Sequence, residues 1–90
     1  LHWLEHHFHP VVYHAVQITV PLEKAEDVES RCQAILKKEH IRIQNKAYSI
    51  SQETRQSDIT FNVRMRDRMQ SGVVIRDIAK ISGVLEAHWK

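Results

Sequence analysis

The chain has 90 residues, which suits one domain with a modest core but leaves little room for an elaborate catalytic cleft. Hydrophobic residues (42%) and charged residues (27%) are in the range of a globular protein, which argues against wholesale disorder. A net charge of +2 does not by itself predict nucleic-acid binding. The single cysteine, Cys32, excludes a disulfide framework within the chain and predicts a small core residue in a reducing compartment.

The first ten residues, LHWLEHHFHP, admit two interpretations. Leu1, Leu4 and Phe8 form an apolar stripe at helical spacing, and Trp3 suits a membrane interface. We therefore expect residues 1–10 to be a juxtamembrane segment that follows a removed membrane helix. The alternative is a metal site, for which zinc would need three or four ligands in fixed geometry. The histidines available for it are His2, His6, His7 and His9.

The next two segments predict a strand and a helix. In VVYHAVQITV, hydrophobic and polar residues alternate as in a half-buried strand. Pro21 ends that strand and suits the first turn of a helix. In PLEKAEDVESRCQAILKKEH, acidic residues come early and lysines late, which complements the helix dipole. The apolar positions at helical spacing are Ala25, Val28, Cys32, Ile35 and Leu36.

A second strand follows, but its apolar phase slips. In IRIQNKAYSISQE, Ile41 and Ile43 have one parity, whereas Tyr48 and Ile50 have the other. Because a one-residue slip moves every later side chain to the opposite face, the pattern predicts a bulge near residues 45–47.

The remainder predicts a strand, a helix and a short strand. ITFNVRMR alternates cleanly, with Phe61 among the residues expected to point inward. Asp67 and Gln70 have the spacing of a capping box, and Gly83 is expected to end the helix in a left-handed conformation. VLEAHWK then forms the last strand. The second helix has the apolar stripe Val74, Ile75, Ile78 and Ala79.

The predicted order is strand–helix–strand–strand–helix–strand. Two right-handed split βαβ units give an α+β, ferredoxin-like βαββαβ domain over residues 11–90: a four-stranded antiparallel sheet with both helices on one face. The expected core comprises Val16, Ile18, Val28, Cys32, Phe61, Val63, Ile75 and Ile78. The opposite face stays uncovered and is the expected interaction face, with Tyr13, Gln17, Thr60, Asn62 and Arg64 on it.

This order, together with the closing segment IAKISGVLEAHWK, resembles the C-terminal domain of the MgtC/SapB family. The resemblance spans residues 11–90 and includes the helix-end SGV, the final strand with its Trp, and a start like that of a chain leaving a membrane. It implies a cytoplasmic ACT-like domain attached to membrane helices, in proteins associated with magnesium homeostasis and putative magnesium transport. ACT domains that bind amino acids usually have a glycine in the first strand–helix loop, whereas TVPLEKAED has none. We therefore expect no amino-acid ligand and no cofactor.

Two clusters of charged residues are either solvated surface or binding sites. Mg²⁺ prefers carboxylates, so the acidic group on the first helix is a candidate site, although the same residues also favour the helix N-terminus. The arginines are candidates for contact with a phosphate or an acidic partner. The acidic group is Glu23, Glu26, Asp27 and Glu29, and the basic group is Arg64, Arg66, Arg68 and Arg76.

The sequence does not favour an enzyme. Ser49, Ser51 and Ser57 have no glycine-rich elbow around them, and this fold supports too many functions to imply one. We expect a non-catalytic regulatory or interaction domain that forms a homodimer through a sheet face or edge and acts on its own transmembrane domain. The alternative is a small-ligand or metal sensor using the N-terminal histidines or the first strand–helix loop. A nucleic-acid-binding module has only the basic pI of about 8.9 in its favour.

Overall fold

The computed structural model describes residues 12–65 and 69–90. Its four strands form one antiparallel sheet in the order β2-β3-β1-β4, so β2 and β4 are the edges. The predicted ferredoxin-like βαββαβ fold is confirmed. The elements are β1 (Val12–Pro21), a 3₁₀ helix (Leu22–Lys24), α1 (Ala25–Lys38), β2 (Arg42–Ser51), β3 (Gln56–Met65), α2 (Met69–Ala79) and β4 (Glu86–Trp89).

The core lies between one face of the sheet and the two helices. Strand β3 alternates strictly between buried and half-buried residues, as its sequence predicts. Seven of the eight expected core residues are buried, but Ile75 is only partly buried and Val74 is fully buried. Val74 and Ile75 are neighbours on the helix and differ by about 100° of rotation. The apolar stripe includes both, so the sequence pattern alone does not show which of the two is fully buried. The fully enclosed residues include Val16, Ile18, Val28, Cys32, Leu36, Phe61 and Ile78.

Helix α1 starts later than Pro21. Pro21 is the last residue of β1, in extended conformation, and the chain makes the 3₁₀ helix Leu22–Lys24 before the α-helix begins at Ala25. Acidic residues still occupy the first turn of α1 and lysines the last. The helix buries Val28, Cys32 and Leu36 at the predicted spacing.

The predicted irregularity of β2 exists, although it lies slightly earlier in the chain. Ile43 pairs with Val63 and Asn45 pairs with Asn62, so the extra residue is Gln44 rather than one in the range 45–47. The bulge brings Ile43 and Tyr48 to the helix-covered side of the sheet.

Two residues with positive φ shape the helix connections. His40 (φ 59°) follows α1, and Gly83 (φ 104°) lies in the turn before β4. Helix α2 ends at Ala79, so Gly83 adopts the expected positive φ but does so four residues beyond the helix instead of at its end. Asp67 and the side chain of Gln70, the predicted capping pair, lie outside the described residues.

Candidate functional site

The sheet face opposite the helices is the largest surface predicted to have a function. Gln17, Thr60 and Asn62 are half-exposed here, as expected for a face that the helices do not cover. Gln17 pairs with Thr60 in the β1–β3 register, so their side chains share this face. Tyr13 pairs with Arg64, but its side chain lies outside the described residues. We call this surface the open face; it comprises Ala15, Gln17, Thr19, Arg42, Asn45, Ala47, Ser49, Asp58, Thr60, Asn62, Arg64, Glu86 and His88.

The β1, β2 and β3 positions at the centre of the open face are uncharged, Lys90 lies beside Ala15 on the β4 side, and the two ends have opposite charges. Arg42 is opposite Arg64 in the β2–β3 register, which concentrates positive charge where β3 ends. At the other end, Asp58 and Glu86 are both register partners of Thr19. The face is therefore polarised along the strand direction.

Hydrogen bonds between neighbouring strands hold polar side chains in place on this face. Asn62 Nδ2 donates to Asn45 Oδ1 between β3 and β2. Thr19 Oγ1 donates to Asp58 Oδ1 at 2.6 Å between β1 and β3. These bonds fix the orientation of the groups that a docked partner would meet.

The predicted arginine group is not one cluster. Arg64 is half-buried on the open face, whereas Arg76 lies on α2 near the helix end that is remote from Arg64. Arg66 and Arg68 lie outside the described residues. The cross-strand neighbour of Arg64 is Arg42. The alternation of polar and apolar residues did not identify this pair, because the bulge at Gln44 shifts the pairing of β2 with β3 by one residue.

Two residues of the predicted acidic group, Asp27 and Glu29, are engaged by side chains of the same chain. Asp27 forms an i,i+4 ion pair with Arg31 at 3.0 Å. Glu29 Oε2 accepts hydrogen bonds from Lys46 Nζ and Tyr48 OH, each at 2.9 Å, and its hydrogen bond raises the pKa of Lys46. Glu29 thus links α1 to the edge strand β2. Among residues 12–65 and 69–90, no three potential metal ligands are grouped.

The remaining ligand candidates fall in two places. His2, His6, His7 and His9 lie outside the described residues, so the metal hypothesis for them stays a prediction. In the first strand–helix loop, the Leu22 N–H already donates to the Arg55 carbonyl at 3.1 Å. That bond occupies one backbone donor of the loop, and the expectation that no amino acid binds there stays a prediction.

Cys32 is a core residue. Its side chain is enclosed, and burial raises the pKa of the thiol from 9.0 to about 12, with a smaller contribution from the Glu29 carboxylate.

Because the thiolate is the reactive form, we expect iodoacetamide to modify Cys32 at pH 8 far more slowly in the folded protein than in urea. Mass spectrometry of timed samples measures both rates; equal rates would show that Cys32 is accessible.

In the part of the chain that the structure describes, no helix has the length and apolar character needed to cross a bilayer.

Comparison with known proteins shows the fold. No protein-family model and no curated protein matches the sequence. Among solved structures, the C-terminal domain of the MgtC protein from Mycobacterium tuberculosis is similar with a TM-score of 0.75 and 11% identity, over 87% of this chain and 84% of that one. The ACT domain from GTP pyrophosphokinase of Chlorobium tepidum has a TM-score of 0.71 and 7% identity, over 90% and 100% of the two chains.

A homoserine dehydrogenase from Thiobacillus denitrificans is similar with a TM-score of 0.68 and 14% identity, over 90% of this chain and only 17% of that enzyme. The first two solved chains are single domains of larger proteins, and the third is an enzyme of which the matched region is a small part. The chain has an ACT-like domain fold. The resemblance to the MgtC C-terminal domain, drawn above from the sequence, is confirmed for the fold.

Proposed function

We propose that this chain is a non-catalytic regulatory domain of an MgtC/SapB-like membrane protein linked to magnesium homeostasis or transport. The fold shared with the MgtC C-terminal domain supports this assignment. The apolar and aromatic residues within positions 1–10 support a juxtamembrane connection. The cytoplasmic side is what the resemblance to the MgtC/SapB family implies. Its regulatory action would be to pair with a second copy and thereby bias the attached membrane region.

The polarity of the open face carries the pairing proposal. An uncharged centre between ends of opposite charge is self-complementary when two copies meet face to face with their strands antiparallel. A two-fold axis perpendicular to the strands produces that arrangement and places β3 over β3. Arg64 of one copy then lies over Asp58 of the other, twice per dimer.

A charge-exchange experiment tests this arrangement. We expect Arg64→Glu and Asp58→Lys each to weaken self-association about fivefold or more, because each leaves two like-charged contacts in the dimer. The double variant reverses both charges and should restore the dissociation constant to within about twofold of the native value. Sedimentation equilibrium at protein concentrations up to the millimolar range measures all four proteins.

Arg76→Glu is the matched control, since Arg76 is an exposed arginine on α2, away from the open face. It changes the net charge as Arg64→Glu does and should leave self-association unchanged. A thermal melt of each variant separates altered pairing from an altered fold. A native protein that stays monomeric at millimolar concentration would remove the pairing mechanism.

A further inference from the structure

An open cavity of about 650 Å³ lies between the C-terminal end of α1 and the start of β2. Its apolar part is formed by Ile41, which is 4% exposed, and by half-buried Ile43. The other lining residues are Gln33, Lys37, His40 and Arg42, so the lining contains two permanent cations, an imidazole and an amide but no carboxylate. In the described ranges, Lys37, His40 and Arg42 form no ion pair.

Lys37, in the last turn of α1, is not needed as a hydrogen-bond donor to the carbonyl groups at the end of the helix. The carbonyls of Ile35, Leu36 and Lys37 accept hydrogen bonds from the N–H groups of Glu39, Ile41 and His40 at 3.1, 2.9 and 3.0 Å. These bonds pair the free carbonyls that make a helix C-terminus negative. The Lys37 ammonium therefore remains available to an external anion.

His40 occupies a backbone position that usually belongs to glycine or asparagine. Its φ of 59° is left-handed, and the bond from the Ile41 N–H to the Leu36 carbonyl completes the glycine-type helix ending. A residue with a Cβ atom is disfavoured in this conformation relative to glycine. The strain is retained at the residue whose imidazole lines the cavity, and such strain is often concentrated at ligand sites.

We infer that this cavity binds the phosphate group of a phosphate-bearing ligand. Lys37 supplies a compact positive charge, and the planar guanidinium of Arg42 matches two phosphate oxygens. His40 adds an N–H donor at the rim, whereas Gln33 Nε2 already donates to Glu29 Oε2 at 3.4 Å. Ile41 and Ile43 provide an apolar surface for the organic part of the ligand. The cavity lies at the β2 edge of the sheet beside the C-terminal end of α1, and Arg42, which lines it, also stands at the positive end of the open face.

The test titrates the native chain with inorganic phosphate and glycerol 3-phosphate, following backbone amide signals by NMR. A parallel arm measures co-sedimentation with phosphatidylglycerol vesicles against phosphatidylcholine vesicles. Lys37→Gln combined with Arg42→Gln should weaken binding at least tenfold. The matched control, Arg76→Gln combined with Lys80→Gln, removes two exposed charges from α2 and its following residue and should change binding less than twofold.

The vesicle arm identifies the source of the phosphate. Binding of the small phosphates indicates a soluble ligand, whereas binding confined to phosphatidylglycerol vesicles indicates a lipid headgroup. Either result supports the site if the Lys37→Gln/Arg42→Gln variant loses that binding. The absence of binding by all three probes, or equal losses in the two double variants, would overturn it. Because Arg42 also stands on the open face, Lys37→Gln alone is the variant that separates the two tests: it should weaken phosphate binding and leave self-association unchanged.

His40→Gly separates a ligand role from a structural one. Glycine relieves the left-handed strain, so the melting temperature should rise or stay the same, while phosphate affinity should fall severalfold because the imidazole donor is lost. A purely structural His40 would leave phosphate affinity unchanged in this variant, and that result would remove His40 from the site.

Discussion

Replacing Phe61 with alanine should lower the free energy of unfolding by about 3–5 kcal/mol. Phe61 is the largest of the fully enclosed side chains and lies in the middle of β3, where β1 and β2 pair on either side. Its removal creates a cavity that the surrounding strands and helices can fill only in part. Because small domains are stabilised by only about 5–15 kcal/mol in total, a large share of the stability should be lost. Urea unfolding measures the change.

Tyr48→Ala is the control for Phe61→Ala. Tyr48 is also aromatic and lies on the adjacent strand and the same side of the sheet, but it is 55% exposed and its hydroxyl bonds to Glu29. Its loss should cost about 1 kcal/mol or less, in keeping with one exposed hydrogen bond. If Phe61→Ala cost no more than Tyr48→Ala, the assignment of Phe61 to the core would be wrong.

The inward position of Phe61 followed from the sequence because β3 has no irregularity. Ile59, Phe61, Val63 and Met65 alternate with polar residues, and all four are buried. A strictly regular strand leaves only one choice, namely which parity faces the core, and the hydrophobic residues determine it. Strand β1 was predictable for the same reason.

Strand β2 shows where the pattern is insufficient. A slip anywhere between Ile43 and Tyr48 explains the change of parity equally well, and hydrogen bonding to β3 selects Gln44. The pattern also does not reveal that β2 is an edge strand beyond the cover of the helices. Ile50 consequently remains 60% exposed although it lies on the helix side. Sheet order is a property of the assembled fold, which local periodicity does not encode.

The candidate sites were predictable to different degrees. The uncharged centre of the open face follows directly from strand parity, since Gln17, Thr60 and Asn62 alternate with buried neighbours. Arg42 was missed because its proximity to Arg64 depends on the bulge. The cavity beside α1 depends on the left-handed turn at His40, and no glycine marks that turn in the sequence.

Replacing Trp89 with alanine should have the second large effect, about 2–4 kcal/mol, somewhat below a fully enclosed aromatic because Trp89 is only partly buried. Strand β4 has four residues and pairs with β1 alone, so strand pairing by itself holds it weakly. The Trp89 indole Nε1 donates to the Ser71 carbonyl of α2 at 2.8 Å, and its ring meets the His14 imidazole edge-on at 6.0 Å. Trp89 thus joins β4 to α2 and β1.

Two further variants resolve how Trp89 acts. Trp89→Phe retains an aromatic ring but lacks the indole N–H, so it should cost about 1 kcal/mol through the lost hydrogen bond. Leu85→Ala is the control, because Leu85 precedes the same strand and is 56% exposed; it should cost less than about 0.5 kcal/mol. Urea unfolding gives the three values, and hydrogen exchange of the β4 amides shows whether the strand detaches before the sheet unfolds. A loss for Trp89→Ala no greater than that for Leu85→Ala would mean that β4 is held by its backbone pairing with β1, and that the contact with α2 contributes little to stability.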